Sequence, residues 1–388
     1  MSARTRIRTG TSARASARAW AELLRLPALF TVPGDALAGA AAVGARPNSR
    51  TLLAIGSSLC LYEAGMALND WADRAEDAVD RPHRPLPSGR IHPAAALVAA
   101  GALTAAGLAL AARAGRSSLA VAAPLAVTVW AYDLALKQTP AGPAAMAAAR
   151  GLDVLLGATT TAGATRDTAP APNAPLRSAV RESLPAALTL ATHTLAVTAV
   201  SRGETQGGSS AAPLAALATT GALVWGLLRD RGVAGQPGRH PTAVRPHPAK
   251  GTPITLRPGR VDVSMRRFGR APIEAVPVLR RGRVPVGAPG PTPNRAPGPG
   301  PGSSRHPTEA ALRGALTLVY AATFAHPLFH AALNPSPPLT QRAVGGGIRA
   351  MIPLQAALAA RAGAPVTALL TAALAPAARR FARKVSVT

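Results

Sequence analysis

Several apolar blocks in this sequence each approach twenty residues, and they constrain the fold more than any other feature. The block at 93–112, PAAALVAAGALTAAGLALAA, contains no charged residue. A helix needs about 20 residues to cross a hydrocarbon layer about 30 Å thick. Lipid admits only helices or closed barrels, and the two-residue alternation of barrel strands is missing here. The blocks therefore predict an all-α, polytopic integral membrane protein.

The pattern predicts about nine transmembrane helices. A further segment, 343–360, is interrupted by glycines and amphipathic, so we interpret it as a partial or surface helix before the last span. The basic N-terminal stretch is followed by apolar residues, and we favour a retained first helix over a cleaved signal peptide because that stretch is long and contains Pro27, Pro33 and Asp35. The nine predicted helices cover 19–44, 51–69, 93–113, 117–135, 141–163, 183–201, 209–228, 309–333 and 362–380.

The region 229–308 differs in composition from the rest of the chain. It is dense in Pro, Gly and Arg and has no helical period. Such a segment cannot bury enough apolar surface to offset the entropy of ordering, so we predict a disordered insert whose deletion leaves activity intact. A basic tether for lipid or nucleic acid is the alternative. The predicted organisation is a basic tail at 1–18, helices one to seven at 19–228, the insert, and helices eight and nine at 309–388.

The formal net charge of +26 does not by itself indicate a nucleic-acid-binding protein. Almost all basic residues are Arg, and Ala, Gly and Pro are abundant as well, which is typical of codon bias. A cationic surface that faces anionic lipid heads or phosphorylated substrates explains the remainder. We therefore expect membrane lipid and no nucleic acid as a partner. The single Cys60 excludes an intramolecular disulfide.

The distribution of basic residues in short loops predicts the orientation in a cell (cytoplasmic) membrane. The N-terminal tail is rich in Arg, and the loop after the second helix contains Arg74, Arg81, Arg84 and Arg90, so both are expected inside. Nine spans then place the C-terminus outside, which disagrees with its basic end, ARRFARKVSVT at 378–388.

The stretch ALNDWADRAEDAVDRPHRPLPSGRI at 67–91 concentrates acids at the end of a membrane helix. If the second helix continues through it, Asn69, Asp73 and Asp77 share one face at i, i+4 and i+8, and Asp70 joins the same stripe. Stacked carboxylates repel each other unless a cation lies between them, and Mg²⁺ prefers one or two carboxylates together with phosphate oxygens. On this continuous helix, Glu76 and Asp80 would pair with Arg84 or Arg90.

The arginines that follow the acids fit a phosphate ligand. Three prolines end the helix and stiffen the loop, and forked guanidinium groups bind phosphate oxygens in pairs. Arg81, Arg84 and Arg90 therefore predict a diphosphate site beside the acids. A solvated loop whose acids and arginines merely pair is the alternative.

This stretch resembles the first signature of the UbiA superfamily of membrane prenyltransferases, N-D-x-x-D-x-x-x-D followed by R-P-x-R-P-x-P-S-G-R. LLRLPALFTVPGDALAG at 23–39 is similar to the first helix of that superfamily, and YDLALKQTPAGP at 132–143 to its Tyr-x-x-x-x-Lys turn. The positions that match the first signature are Asn69, Asp70, Asp73, Asp77, Arg81, Pro82, Arg84, Pro85, Pro87, Ser88, Gly89 and Arg90.

The resemblance implies a central cavity that opens to lipid, cytoplasmic loops above it, and Mg²⁺-dependent transfer of an isoprenoid from a polyprenyl diphosphate to an acceptor that the sequence does not identify. It implies catalytic roles for Asp70, Asp73 and Asp77. Lys137 also has an alternative role as an interfacial lysine. The implied diphosphate-binding residues are Asn69, Arg81, Arg84, Lys137 and Arg202, and the implied metal ligands are Asn69, Asp73, Asp77 and Glu204.

The second acidic motif of the superfamily, D-x-x-x-D, is reduced in this chain. Val200 stands where the first Asp is expected in TAVSRGETQGG at 198–208. Gly203 and Gly208 keep the spacing of a G-D-x-x-x-G version, so Glu204 is the expected remaining metal ligand, with Arg202 as a possible substitute for a metal. Glu204 paired with Arg202 or exposed to solvent is the alternative.

Several ionisable residues lie within apolar segments, where such residues are functional candidates. Arg150 and Asp153 at i, i+3 in the fifth helix are either functional or a structural ion pair. His193 and the pair His326/His330 are expected to be packed polar residues rather than acceptor-site groups.

The sequence thus predicts a membrane prenyltransferase with Mg²⁺ as cofactor. A second possibility is a transferase that moves a phosphorylated sugar to a polyprenyl phosphate. A third is a protein that binds or transports isoprenoid lipid without turnover. The oligomeric state is not indicated.

Overall fold

The computed structural model of the chain describes residues 15–163, 174–204, 209–229 and 307–386. These residues are helical throughout apart from short connections, with no strand within the four ranges, which confirms the predicted fold class. The N-terminal residues 1–14 and most of the predicted insert, 230–306, lie outside the described residues. The insert prediction extends two residues too far at its end, because Pro307 and Thr308 already belong to a helix.

Twelve helices occur in the described residues. A 3₁₀ turn at Leu26–Thr31 precedes α2, and a π-helical turn at Tyr132–Leu136 follows α6. The helices are α1 (15–23), α2 (Val32–Ala42), α3 (Ser49–Ala72), α4 (Arg74–Asp80), α5 (Pro93–Ala114), α6 (Arg116–Ala131), α7 (Gly142–Ala162), α8 (Ala174–Ser201), α9 (Ala211–Leu228), α10 (Pro307–Leu333), α11 (Pro337–Arg361) and α12 (Pro365–Ser386).

Seven helices of the described part are long and apolar enough to cross a membrane: α3, α5, α6 with its π turn, α8, α9, α10 and α11. Helix α2 is apolar but shorter, and it begins with Pro33 in its first turn, directly after the 3₁₀ turn. The exact count of nine spans is not confirmed.

Helix α11 is a full-length buried helix, so its interpretation as a partial or surface helix is wrong. Of its most apolar 18 residues, 83% are buried. Its glycines allow this burial, because they let α11 approach α10 and α8 closely. A Cβ on Gly346 would lie 2.6 Å from Cγ of Pro327, and one on Gly347 would lie 2.8 Å from Cε2 of Phe324. The glycines that made the segment resemble a surface helix are thus packing positions.

Ten helices, α2, α3 and α5 to α12, run between the two ends of the described bundle. One end, called the acid end below, carries residues 69–91, 132–142 and 200–204. At the opposite end, Ala41, Ala359, Ala360 and Ala368 form an apolar cluster. Helix α12 begins beside this cluster and runs back along α2 to the 3₁₀ turn that precedes it. The last turns of α12 therefore approach the acid end.

Helices α2 and α7 pack with their backbones in close contact. A Cβ on Gly157 would lie 2.6 Å from the carbonyl oxygen of Ala36, and one on Gly39 would lie 2.8 Å from the backbone nitrogen of Ala158. Small residues permit such approaches between membrane helices. The contact fixes α2 against α7, which carries the inner wall of the cavity described next.

Candidate active site

The acid-rich stretch is helical on both sides of a break at Asp73. Helix α3 ends at Ala72 and α4 begins at Arg74, with Asp73 at φ −85°, ψ 2°. The continuous helix on which the shared face of the acids was conditional is therefore interrupted at this residue. The spacing survives, because Asp73 N donates to Asn69 O (2.9 Å) and Asp77 N donates to Asp73 O (2.8 Å).

Burial divides the acids of this stretch into two groups. Asp70 and Asp77 are only 4% and 3% exposed, whereas Glu76 and Asp80 face solvent. A buried carboxylate is stable only with compensating partners. The buried group thus requires cations nearby, and the solvent-facing group does not.

Asp70 and Asp77 share one arginine of the proline-rich loop. Arg84 Nη1 lies 2.7 Å from Asp77 Oδ2 and 3.7 Å from Asp70 Oδ1. Arg81 adds a longer contact of 3.4 Å to Asp77, and Arg25 Nη2 donates to Asp70 Oδ1 at 3.1 Å. These contacts form one cluster, which consists of Asp70, Asp77, Arg25, Arg81 and Arg84.

Asp73 pairs with Lys137, which joins the acid stretch to the turn after α6. The side chain of Lys137 is 13% exposed, so it lies within the site rather than on an interfacial surface. The structure thus places Lys137 directly beside Asp73, a predicted metal ligand, and the phosphate contact of Lys137 stays a prediction.

Arg90 does not pair with the acids of its own stretch, contrary to the alternative considered for Glu76 and Asp80. It donates to both carboxylate oxygens of Glu22 in α1, at 2.6 and 3.1 Å, and to the carbonyl oxygen of His83 at 2.6 Å. The hydrogen bond to Glu22 raises the pKa of Arg90 above its ordinary value. Arg90 therefore fastens the loop to α1.

Asp133 is a site residue that the sequence analysis missed. It is 4% exposed and accepts a hydrogen bond from Asn69 Nδ2 at 3.1 Å. It lies on the π-helical turn at Tyr132–Leu136, which replaces the end of the predicted fourth helix. Such turns occur frequently at functional sites. The available signal was an acid directly after Tyr132 of the Tyr-x-x-x-x-Lys turn.

Arg25 is the second residue that was missed. It has a left-handed backbone, φ 47° and ψ 46°, which is uncommon for a residue with a side chain. This conformation ends α1 and precedes the 3₁₀ turn. The pairing with Asp70 spans 45 residues, so no local pattern could have indicated it.

The reduced second motif lies at the edge of the site. Glu204 is half-buried, and burial raises its pKa while nearby Arg81 opposes that rise. Arg202 donates to the carbonyl oxygen of Thr139 at 2.6 Å. Both residues thus face the acid end, but neither contacts Asp73 or Asp77 in the described contacts. Gly208 lies outside the described residues.

A cavity of about 220 Å³ leads from the acid end into the bundle. Its outer part is lined by Arg25, Asn69, Tyr132 and Asp133, and its inner part by Ser58, Arg150 and Asp153. Between them the lining is mostly apolar. This arrangement suits a ligand with a charged head and an apolar tail.

The ion pair inside the bundle differs from the i, i+3 pair considered for α7. Arg150 pairs with Asp35 of α2, while Asp153 accepts a hydrogen bond from Ser58 of α3. Gln355 of α11 donates to Asp35 Oδ1 at 2.8 Å. Four helices therefore meet at this polar group.

His193 packs as expected, whereas His326 and His330 are exposed, so the prediction of packed residues is wrong for that pair. His193 is fully buried between Tyr320 and the carbonyl oxygen of Gly347, at 3.2 and 3.0 Å. His326 and His330 face each other on α10 with 3.4 Å between their Nε2 atoms.

Within the described ranges, no group of three or more His, Cys, Asp or Glu side chains is placed to hold a metal by itself. The donor set nevertheless fits Mg²⁺, which needs only one or two carboxylates when phosphate oxygens complete its shell. Asp73 and the adjacent Asn69–Asp133 pair supply such hard oxygen ligands. Lys137 is the positively charged group that contacts Asp73 in this structure.

A family model described as the UbiA prenyltransferase family matches residues 28–208. Curated relatives named digeranylgeranylglyceryl phosphate synthase match as well. The protein from Methanopyrus kandleri is 36% identical over 128 residues, 32% of this chain and 45% of its own length. The protein from Methanothrix thermoacetophila is 39% identical over 107 residues, 27% and 40% of the two lengths. The chain spans less than half of the length of these relatives.

Two solved structures share the fold. The apo structure of a UbiA homolog from Aeropyrum pernix K1 aligns with a TM-score of 0.53 and 15% identity, over 85% of this chain and 96% of that one. A structure described under the biosynthesis of digeranylgeranylglyceryl phosphate synthase in membranes aligns with a TM-score of 0.50 and 14% identity, over 89% and 98%. At these identities the likeness concerns the fold alone.

Proposed function

We propose that this protein is a membrane enzyme that transfers an isoprenoid from its diphosphate to an acceptor, since the model of the UbiA prenyltransferase family matches residues 28–208. The observation that supports the proposal is the set of buried acids and cations at the mouth of an apolar cavity. Asp70, Asp73 and Asp77 each contact a cation there. A diphosphate needs both kinds of charge, and an isoprenoid tail needs the apolar lining.

The cations of the site bind the diphosphate in this proposal. Arg81 and Arg84 come from the rigid loop, and Lys137 comes from the turn after α6. They stabilise the negative charge that develops on the diphosphate as the allylic C–O bond breaks. Arg202 donates to the carbonyl oxygen of Thr139, two residues after Lys137, and would bind the diphosphate from the edge of the site.

Asn69, Asp73 and Asp77 would hold Mg²⁺, with Glu204 as a weaker ligand. When bound, Mg²⁺ supplies Lewis-acid stabilisation of the leaving diphosphate. Asp133 orients Asn69 through the hydrogen bond to its side-chain amide. Asp70 keeps Arg25 and Arg84 in place at the cavity mouth.

The cavity provides the remaining requirement of the reaction. Its apolar lining, which includes Leu61, Met66, Leu125 and Val129, excludes water from the reacting carbon. The acceptor must approach that carbon within about 3–3.5 Å. The new bond then forms to the acceptor, which loses a proton.

The relatives' names suggest the first acceptor class to test. The relatives are named as synthases of digeranylgeranylglyceryl phosphate, and this product name describes a lipid with a glyceryl group. We therefore propose a glyceryl lipid as acceptor and a cell-membrane location in which the acid end faces the cytoplasm.

The test uses the full chain, purified in detergent, with a radiolabelled polyprenyl diphosphate, Mg²⁺ and a membrane extract as acceptor source. We expect labelled lipid product with the wild type and none with Asp73→Ala or Asp77→Ala. Tight Mg²⁺-dependent binding of the donor without product from any acceptor would instead indicate a binding or transport protein. Product only from a phosphorylated sugar and polyprenyl phosphate would indicate the other transferase reaction.

A further inference from the structure

The cavity has a second polar region, which is separate from the residues assigned above to the donor diphosphate and to Mg²⁺. On α3, Ser58 precedes Asn69 by eleven residues, or about 16 Å along a helix that rises about 1.5 Å per residue. Leu61, Gly65 and Met66 line the cavity between them. We name Asp35, Ser58, Arg150 and Asp153 the inner polar cluster.

The inner polar cluster is built from three helices and is fixed from behind. Asp35 is fully buried and held by Arg150 and by Gln355, whose Nε2 also donates to the carbonyl oxygen of Thr31 at 2.8 Å. Arg150 and Asp153 line the cavity, with the Arg150 side chain 15% exposed. The cluster therefore presents a guanidinium and a carboxyl group to whatever enters.

Charges at this depth in a membrane protein are costly and usually mark a substrate path. The isoprenoid donor does not explain them, because its tail is apolar and its diphosphate is matched by the cations at the cavity mouth. The remaining reactant is the acceptor. A polar part of the acceptor is the group that an inner polar region can recognise.

The charge balance of the cluster selects the chemistry of that polar part. Arg150 is already paired with Asp35, and Asp153 lies beside both. Two carboxyl groups beside one guanidinium give no surplus positive charge for a phosphate, and they favour a group that both donates and accepts hydrogen bonds. A hydroxyl group meets this requirement without adding charge.

We propose that the inner polar cluster binds a hydroxyl group of an uncharged glyceryl lipid acceptor, with Asp153 and Arg150 as the contacting residues. The inference rests on the proposed function, because it assigns the acceptor of that reaction. It also separates this chain from its named relatives, whose product carries a phosphate.

The test compares two probes that differ only by a phosphate: a radiolabelled monoalkylglycerol and the same lipid as its phosphate. Equilibrium binding to the full chain in detergent is measured without Mg²⁺ or donor, so that turnover is not required. We expect the uncharged lipid to bind about tenfold more tightly, which corresponds to about 1.4 kcal/mol.

The variant Asp153→Asn removes the extra carboxyl group and keeps a hydrogen-bonding side chain. We expect it to reduce the preference for the uncharged lipid at least severalfold, while donor binding and the thermal unfolding temperature change little. The control Asp80→Asn removes an exposed acid at the mouth and should leave the preference unchanged.

A wild type that binds the phosphate form as tightly as the uncharged form would overturn the inference. So would a folded Asp153→Asn protein with an unaltered preference. A wild type that does not bind the polyprenyl diphosphate donor would contradict the proposed function instead. The two failures are distinguishable because the lipid comparison is measured without donor. If Asp153→Asn fails to fold, Ser58→Ala is used in its place, because it removes the hydrogen bond to Asp153 without creating an unpaired charge.

Discussion

At the scale of single residues, the acids of the site are distinguished by their partners rather than by their spacing. Asp77 is 3% exposed and contacts Arg84 and Arg81, whereas Asp80, three residues later, is exposed. Removing one partner of a buried charged pair leaves the other uncompensated. The two aspartates therefore form a matched pair for substitution.

We expect Asp77→Asn to reduce isoprenoid transfer on the order of 10²–10³-fold, the cost of removing one electrostatic group from an active site. Asp80→Asn should change it by no more than about twofold, as is usual for surface positions. Initial rates with labelled donor check both variants. Equal losses in the two would show that burial and pairing do not determine the role of Asp77.

The residues of the first signature were predictable because their chemistry is continuous in the sequence. Asn69, Asp73 and the arginines of the loop lie within the single stretch 67–91. Arg25 and Asp133 were not predicted, because their contacts with Asp70 and Asn69 span 45 and 64 residues. A contact of that length depends on helix packing, which no local pattern encodes.

At the scale of secondary-structure elements, glycines determine which helices can touch. Gly157 of α7 meets the backbone of Ala36 in α2, while a Cβ added to Gly101 of α5 would have, apart from its chain neighbours and the backbone of its own helix, no atom of the described residues within 4 Å. The same residue type therefore has opposite consequences in two helices. One supports a helix contact, and the other only adds backbone freedom.

We expect Gly157→Ala to lower the free energy of unfolding by about 1–3 kcal/mol, because a methyl group there must push α2 and α7 apart. Gly101→Ala should leave stability unchanged or raise it by up to about 1 kcal/mol, since alanine favours the helix. Thermal unfolding in one detergent compares them. A stable Gly157→Ala protein would mean that the two backbones separate without cost.

Helix boundaries could be predicted where the apolar blocks are long. The predictions failed where tertiary packing determines whether a segment is helical and buried. Helix α5 was expected at 93–113 and is found at Pro93–Ala114. Helix α11 was underestimated because Gly346 and Gly347 weaken its apolar pattern, although their role is to admit Pro327 and Phe324. The break at Asp73 likewise has no sequence signal such as Pro or Gly.

At the scale of the whole molecule, the ten helices that run between the two ends of the described bundle give an even number of passages. With nine, the basic C-terminal stretch would end opposite the acid loop, which was the disagreement in the sequence analysis. The inclusion of α11 removes it, because α12 then returns toward the 3₁₀ turn at Leu26–Thr31. Arg379 and Arg380 are exposed on that last helix.

We therefore expect Arg380 and the acid end to lie on the same side of the membrane. In a Cys60→Ser background, single cysteines introduced by Asp80→Cys and Arg380→Cys should react with a membrane-impermeant maleimide from one side. A cysteine introduced by Arg46→Cys, in the connection between α2 and α3 at the opposite end, should react from the other. Labelling of Arg380→Cys together with Arg46→Cys would contradict the ten-helix arrangement.

The ion pairs at the cavity mouth have a further consequence for how a ligand arrives. Asp70, Asp73 and Asp77 already have Arg25, Lys137 and Arg84 as internal counterions. In the proposed function, a metal–diphosphate must separate these pairs before it can form its own, so its binding is an exchange of partners. Single ions of either sign gain little from such an exchange, because each can satisfy only half of a pair. We therefore expect the site to bind simple salts weakly and to bind a ligand that brings both charges together.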